Sequence, residues 1–283
     1  MSAPRLIRFF VYLVLIVCAG ITLIPFLYLL AGSLKARYDF AASLFLPAGE
    51  GWLGVAWGKL TIGNFRRLLF ELPVPRALLN SFFLSSVHSV GAALFCAMGG
   101  YALTKHQFRG RTLVTSVVLT ALIIPGPLLL APGFQLLFQL GLLDTYAGLL
   151  LPGLTPAFGV FLFRQAMLRS VPDELIEAAR IDGAGEARIF FELVLPLVRP
   201  MLGAFLLISF LGAWNNFVGP QIVLQSPELQ PLSVAINNLR GVYGNDYGLI
   251  MAGTLVSIAP VMCLFLLLQA EFISGLTSGA VKG

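Results

Sequence analysis

Charge is what this sequence has least of. Only 11% of its 283 residues are Asp, Glu, Lys or Arg, while 58% are hydrophobic and the mean hydropathy is +0.90. Soluble domains carry about a quarter charged residues. So few charges cannot cover a water-facing surface, and the expected solvent is a lipid bilayer. Cysteine is also scarce. Cys18, Cys96 and Cys263 each sit in an apolar run, with no CxxC spacing and no adjacent histidine, so disulfide and zinc readings find no support and all three read as packing residues. There is no HExxH, GxSxG or GxxxxGK[ST] motif, so this chain has no visible means of hydrolysing ATP or an ester by itself. No catalytic residue, metal ligand or cofactor is assigned. No carboxylate falls inside an apolar run, which removes the ion site a proton- or sodium-driven secondary transporter normally needs near the midplane. The formal net charge of +5 comes without a dense basic patch interleaved with aromatics, so nucleic acid is not an expected partner. Excess Lys and Arg is common on the cytoplasmic side of membrane proteins. No repeat of 20–50 residues and no low-complexity tract occurs.

Long apolar runs are what is present. A membrane helix needs roughly 20 mainly apolar residues, and six runs of that order are bounded by charges. They predict an all-α integral membrane protein, a single domain over 1–283 with spans at roughly 9–34, 77–104, 112–133, 146–169, 200–224 and 247–270. A polar loop at 170–200 and a carboxyl tail at 271–283 complete it. The first run follows Arg5 and Arg8 but exceeds the 7–15 residues of a signal-peptide core, and no convincing cleavage site follows, so it reads as a retained helix. Pro125-Gly126-Pro127 interrupts the third run, and the stretch 132–143 is expected to leave the bilayer or lie at its interface. Pro25 and Pro260 imply kinks that neighbouring helices can satisfy. Short loops set the orientation. Lys105, Arg109 and Arg111 lie between spans two and three, and Arg164, Arg169, Arg180, Arg188 and Arg199 lie around the loop between four and five. The opposite loops hold Arg240 alone. The positive-inside rule places both termini and both basic loops in the cytoplasm. The first external loop, 33–76, is also basic, but long loops cross with less regard to charge. Trp52 and Trp57 within it read as interfacial anchors.

The loop at 170–200 gathers charge that the rest of the chain avoids. Pro172 suits a first helical turn, and Asp173 and Glu174 follow where the helix dipole favours anions. Leu175, Ala178 and Ala179 share a face at i, i+3, i+4 spacing, Glu177 and Arg180 can pair with each other or with a partner's charges, and Gly183 can end the helix in a left-handed conformation. A second short helix runs from Glu186 to Leu195 and into Pro196. The reading is a helix-turn-helix lying parallel to the membrane on its cytoplasmic side. The plainer reading is a solvated amphipathic loop.

Glu177-Ala178-Ala179, three residues, Gly183, nine residues, then Leu193-Val194-Leu195-Pro196 resembles the EAA motif of permease subunits in binding-protein-dependent ABC importers. It departs from that pattern only in Leu193 for isoleucine. Asn80-Ser81, Tyr101-Ala102-Leu103 before Phe108-Arg109-Gly110, and the end Gly275–Gly283 are similar to the carbohydrate-uptake, maltose-type branch. The similarity runs from about Asn80 onward, and the first external loop is least matched. The resemblance implies the six-helix bundle of a type I importer permease with a cytoplasmic coupling helix. That helix would dock on a dimeric ABC ATPase through Glu177, Ala178, Ala179, Arg180, Asp182, Gly183, Leu195 and Pro196. The tail residues Thr277, Ser278, Gly279 and Lys282 would reach the ATPase. A second permease subunit forming a heterodimer, an extracytoplasmic solute-binding protein and a bacterial inner-membrane location are further implications.

Trp214-Asn215-Asn216 places two amides beside an aromatic deep in the fifth run, where buried amides need partners. A sugar contact and interhelical hydrogen bonding both account for them. His88, among Ser85, Ser86 and Ser89, is a second candidate on the substrate path, since an ionisable group in a span is a functional hypothesis by default. Asn237, Asn238 and Tyr243 in the polar external segment would face the binding protein. The absence of carboxylates and of basic clusters in the spans fits a neutral sugar or oligosaccharide better than a glycerol-phosphate-like solute.

Overall fold

The structure is a computed structural model that describes residues 5–40, 43, 45–242 and 246–277. Among the described residues it is helical, and its only β pairing is an isolated bridge between Ala48 and Val55. The chain divides into two compact units, one of Met1–Pro75 with Ala235–Ala259 and one of Arg76–Val234 with Pro260–Gly283.

In chain order the helices are α1 (Arg5–Ser33), α2 (Gly63–Phe70), α3 (Val74–Lys105), α4 (Arg111–Ala121), α5 (Leu130–Gln139), α6 (Tyr146–Leu150) and α7 (Ala157–Ser170). They continue as α8 (Asp173–Ile181), α9 (Glu186–Arg188), α10 (Leu195–Leu197), α11 (Arg199–Trp214), α12 (Val218–Val223), α13 (Leu232–Val242) and α14 (Tyr247–Thr277). α1, α3 and α14 are each long and apolar enough to cross a bilayer. Three bent pairs reach that length together. α4 with Gly126–Gln139 bends by 105°, Tyr146–Gly153 with α7 by 41°, and Glu186–Leu197 with α11 by 83°. Pro125 and Pro156 lie within the first two breaks, where proline restricts the residue before it, and Pro200 lies in the first turn of α11 just after the third, where it lacks the donor that would continue the preceding helix. α1 and α14 continue as helices through Pro25 and Pro260.

In the first unit, the end of α1 is capped by Asn64 of α2, whose Nδ2 donates to the carbonyls of Ser33 and Lys35, each at 2.8 Å. Arg67 pairs with the buried Asp246 at 2.7 Å, and Asp246 caps α14 by accepting from the Leu249 amide. Lys35 is fully buried and donates to the Ser43 carbonyl at 2.6 Å. Burial lowers its pKa, and Asp39 opposes that shift.

The second unit is held by small residues. On α3, Ala92, Ala93, Cys96 and Ala97 are buried, so backbones can approach closely. A Cβ added at Gly159 of α7 would lie 2.6 Å from both Cys96 Sγ and Phe205 Cζ of α11. Phe163 fills the centre and meets Phe205 edge-on at 5.3 Å. The outward surface stays apolar. α1 in particular leaves Leu6, Phe9, Phe10 and Ile16 exposed, as an element solvated by lipid or a partner requires.

Candidate functional site

α8 starts at Pro172 in extended conformation, with Asp173 and Glu174 in its first turn. Ile176 anchors it, only 2% exposed and packed in the same core cluster as Ile189 and Phe190, with Ala179 and Ala184 against it. The small-residue face is therefore divided. Ala179 turns toward the core, while Leu175, Glu177 and Ala178 stay exposed. Ile181 is 86% exposed. At the other end Gly183 has φ +81°. Its amide donates to the Arg180 carbonyl and that of Ala184 to the Ala179 carbonyl, each at 3.0 Å. That bond pair is a Schellman cap, which needs a left-handed residue at this position. The chain then runs through α9, a π turn over Ile189–Val194, and α10, where Leu195 is half-buried against the core cluster and Pro196 is exposed.

Arg180 does not pair with Glu177. It reaches Glu186 instead, with Nε and Nη2 both 2.9 Å from Oε1. The other oxygen of Glu186 accepts from the Tyr101 hydroxyl at 2.8 Å and lies 3.4 Å from His106 Nε2. Burial pushes the Glu186 carboxyl up, but Tyr101, Arg180 and His106 together outweigh it and hold it below its usual value. Lys105 Nζ reaches both the Val171 carbonyl and Asp173 at 2.5 Å. Arg188 pairs with Glu192 at 2.8 Å, and that carboxylate raises its pKa. Glu177 and Asp182 are exposed.

A separate cavity of about 210 Å³ is lined by Ser81, Ser85, His88, Gly153 and Asn216, with Leu149 and other apolar residues. No lysine, arginine, aspartate or glutamate lines it. The His88 ring lies over Gly153, where a Cβ would come 2.5 Å from Cε1. α11 ends at Trp214, so Asn215 and Asn216 form the break before α12 rather than a helical turn. Asn216 Oδ1 accepts from the Gly219 amide at 3.2 Å. Trp214 is buried and stacks on Phe210 at 5.6 Å, and Asn215 donates to the Leu211 carbonyl. The structure thus brings Asn216 and His88 into one cavity and leaves Trp214 and Asn215 out of it.

The segment from Leu224 to Leu232 is fastened by three residues. Asp144, at φ +56°, accepts from the amides of Gln225 and Ser226, each at 2.9 Å, and from the Ser226 hydroxyl at 2.5 Å. The Ser226 hydroxyl and amide lower the Asp144 pKa. Asn80 donates to the carbonyls of Glu228 and Gln230 and accepts from Tyr146, and Ser81 Oγ accepts from the Leu232 amide at 2.7 Å. Asn237 and Asn238 are exposed on α13. Tyr243 lies outside the described residues, as do Ser278, Gly279 and Lys282 of the tail. Thr277 is the last residue of α14.

Sequence reasoning gave no tertiary partner to Glu186, Lys105 or Asp144. Tyr101 is 85 residues from Glu186, Val171 and Asp173 are 66 and 68 residues from Lys105, and Gln225 is 81 from Asp144, and no local spacing reports such pairs. Among the described residues no group of three His, Cys, Asp or Glu could hold a metal ion.

A helical chain with up to six apolar segments long enough to cross a bilayer, joined by a polar, internally tied loop, fits a membrane-spanning protein. Residues 89–271 match the family model described as binding-protein-dependent transport system inner membrane component. The chain is 43% identical over 204 residues to the arabinooligosaccharides transport system permease protein AraQ of Halalkalibacterium halodurans, covering 72% of this chain and 73% of that one. It is 31% identical over 271 residues to the lactose transport system permease protein LacG of Rhizobium radiobacter, covering 96% and 95%. In structure it is similar to a chain of a bacterial ABC transporter involved in import of the acidic polysaccharide alginate, with a TM-score of 0.80 and 22% identity over 96% of this chain and 99% of that one. The chain belongs to the family of binding-protein-dependent transport system inner membrane components. It is a permease subunit of an ABC importer with the type I permease fold, and the resemblance carried by the EAA spacing holds.

Proposed function

We propose that this chain is one of two permease subunits that move a sugar or oligosaccharide across the bacterial inner membrane by alternating access. Both termini and the 170–200 loop face the cytoplasm. α8 is the coupling helix, gripped by a dimeric ABC ATPase, and closure of that dimer on ATP biases the permease between inward-open and outward-open states. A binding protein delivers the sugar from the other side, and Asn237, Asn238 and Tyr243 lie in the segment that meets it. Thr277, Ser278, Gly279 and Lys282 belong to a tail that reaches the ATPase.

The observation that carries this reading is α8 itself. A helix on the EAA spacing leaves Leu175, Glu177, Ala178 and Ile181 exposed and stops at a left-handed Gly183. Large apolar side chains standing out from a charged loop call for a protein partner. A sugar is the preferred solute because the cavity holding His88 and Asn216 offers an imidazole, an amide and two serines with no charge. Such groups suit hydroxyls, whereas a phosphate would call for arginine or lysine. The volume of about 210 Å³ is below the ~300–1,000 Å³ typical of complete small-molecule pockets, so this subunit supplies part of the path and its partner the rest.

The test is uptake in proteoliposomes containing this chain, its companion permease, the ATPase and the binding protein. Labelled arabino-oligosaccharides, lactose and glycerol 3-phosphate are offered in turn. ATP-dependent uptake of a neutral sugar supports the reading. Uptake of glycerol 3-phosphate alone, or uptake that continues without ATP, refutes it.

A further inference from the structure

The block from Tyr101 to His106 at the end of α3 has no role in the account so far, yet it is tied to both ends of α8. At the start of α8, Lys105 Nζ bonds the Val171 carbonyl and Asp173. At its far end, Arg180 is held by Glu186, and the other oxygen of that carboxylate takes the Tyr101 hydroxyl at 2.8 Å with His106 Nε2 at 3.4 Å. The rings of Tyr101 and His106 meet edge-on at 5.0 Å, and Tyr101 also touches Phe190 at 5.6 Å. Between the two ties Ile176 is buried in the core cluster that includes Tyr101. Charge-assisted hydrogen bonds of this kind are the stronger ones in proteins.

We propose that Glu186 is a positioning residue. It is the shared acceptor through which displacement of the 173–186 loop is passed to the Tyr101–His106 end of α3. The inference rests on the coupling role proposed for α8. A helix fixed at one end only would pivot under a pull at its exposed face. Fixed at both ends to six consecutive residues of one helix terminus, it carries that terminus with it. The groups facing the Glu186 carboxylate are Tyr101, His106 and Arg180, and none of them is acidic. Removing the carboxylate therefore leaves Arg180 and the Tyr101 hydroxyl without the acceptor they share, while Ile176 still holds α8 in place.

The assembled transporter in nanodiscs tests this by amide hydrogen exchange, with and without ATP and vanadate to trap the closed ATPase dimer. In the wild type, trapping should change exchange at least threefold in peptides covering both 173–186 and 101–106. In Glu186→Ala the ATPase still co-purifies and the change persists in 173–186, but falls to less than half its wild-type size in 101–106. Tyr101→Phe gives a smaller loss in the same direction, and Glu186→Asp restores the 101–106 response. A wild-type response at 101–106 in Glu186→Ala overturns the inference, as does failure of Glu186→Asp to restore it. Loss of ATPase co-purification in Glu186→Ala also overturns it, because Glu186 would then be a docking residue. If the ATPase does not co-purify with the wild type, or trapping leaves 173–186 unchanged, the coupling role of α8 itself fails, which is a distinct result.

Discussion

Gly183 offers the sharpest single perturbation of the proposed coupling loop. Its φ of +81° lies in the left-handed region, and a Cβ built there meets no atom within 4 Å. The effect of Gly183→Ala is therefore conformational and not steric. The left-handed conformation costs an L-residue about 1–2 kcal/mol, and asparagine adopts it more readily. Gly183→Pro does more. Proline fixes φ near −65°, so the observed turn cannot form, and it removes the amide that donates to the Arg180 carbonyl at 3.0 Å. The neighbouring bond from Ala184 to the Ala179 carbonyl closes the same cap and is lost with it. Two hydrogen bonds at about 1 kcal/mol each add to the conformational term, about 3–4 kcal/mol in all, enough to shift a local two-state equilibrium more than a hundredfold. The cap is exposed and the core contact of Ile176 lies two turns earlier, so the fold should survive. The expected result is a melting temperature in detergent within a few degrees of wild type for both variants, ATPase affinity weakened about 5–30-fold in Gly183→Ala, and ATP-driven uptake abolished in Gly183→Pro. Gly183→Asn should fall between wild type and alanine. Wild-type uptake by Gly183→Pro in proteoliposomes would refute the reasoning, since it would mean that the cap geometry is irrelevant to coupling.

Other outcomes follow from the packing and the charges. Gly159→Val should destabilise the chain by about 1–3 kcal/mol through overpacking against Cys96 and Phe205. Gly133→Ala, where a Cβ meets nothing within 4 Å, should be neutral or stabilising by up to about 1 kcal/mol. Thermal denaturation of the two side by side checks the contrast, and equal melting temperatures would contradict it. Glu186 has its folded pKa held below the ordinary 4.5, so its stabilisation is complete above that value and is lost as pH falls through the lower folded one. The difference in melting temperature between wild type and Glu186→Gln should accordingly shrink as pH falls below about 4.5. His88→Ala and Asn216→Ala should each raise the sugar concentration for half-maximal uptake several-fold, while Trp214→Phe, outside the cavity, should act through stability alone. Uptake kinetics that respond to Trp214 but not to His88 would show that the cavity is not on the path.

The class of the molecule was legible because lipid demands an absence of charge that composition reports directly. Local backbone chemistry was legible too. Pro172 starts α8 because its ring pre-sets the φ needed there, and Gly183 ends it because, lacking a Cβ, it takes the left-handed φ of +81° without strain. Tertiary partners were not legible. Spacing along a helix offers Glu177 to Arg180, but the Schellman turn reverses the chain and carries Glu186 alongside it, and Tyr101 then fixes the carboxylate from a distant helix. The Asn80-Ser81 pair was recognised without a reason. The reason is the 224–232 segment, whose backbone those two side chains hold. The apolar runs also hid their breaks. Asn215 and Asn216 read as residues within a span, yet they form the gap between α11 and α12, where Asn216 accepts a backbone amide. Hydropathy averages over such gaps, and only the packing of the flanking helices decides where the chain leaves the helix.

The central claim is that a short loop on the inner side of the membrane is gripped by a nucleotide-driven partner. The most direct measurement labels a single cysteine at Ala178 with a membrane-impermeant maleimide, in a chain whose Cys18, Cys96 and Cys263 are alanine. The account predicts labelling in inside-out vesicles and none in right-side-out vesicles, with protection once the ATPase subunit is bound. Labelling from the outer face, or labelling that the ATPase leaves unchanged, would contradict it.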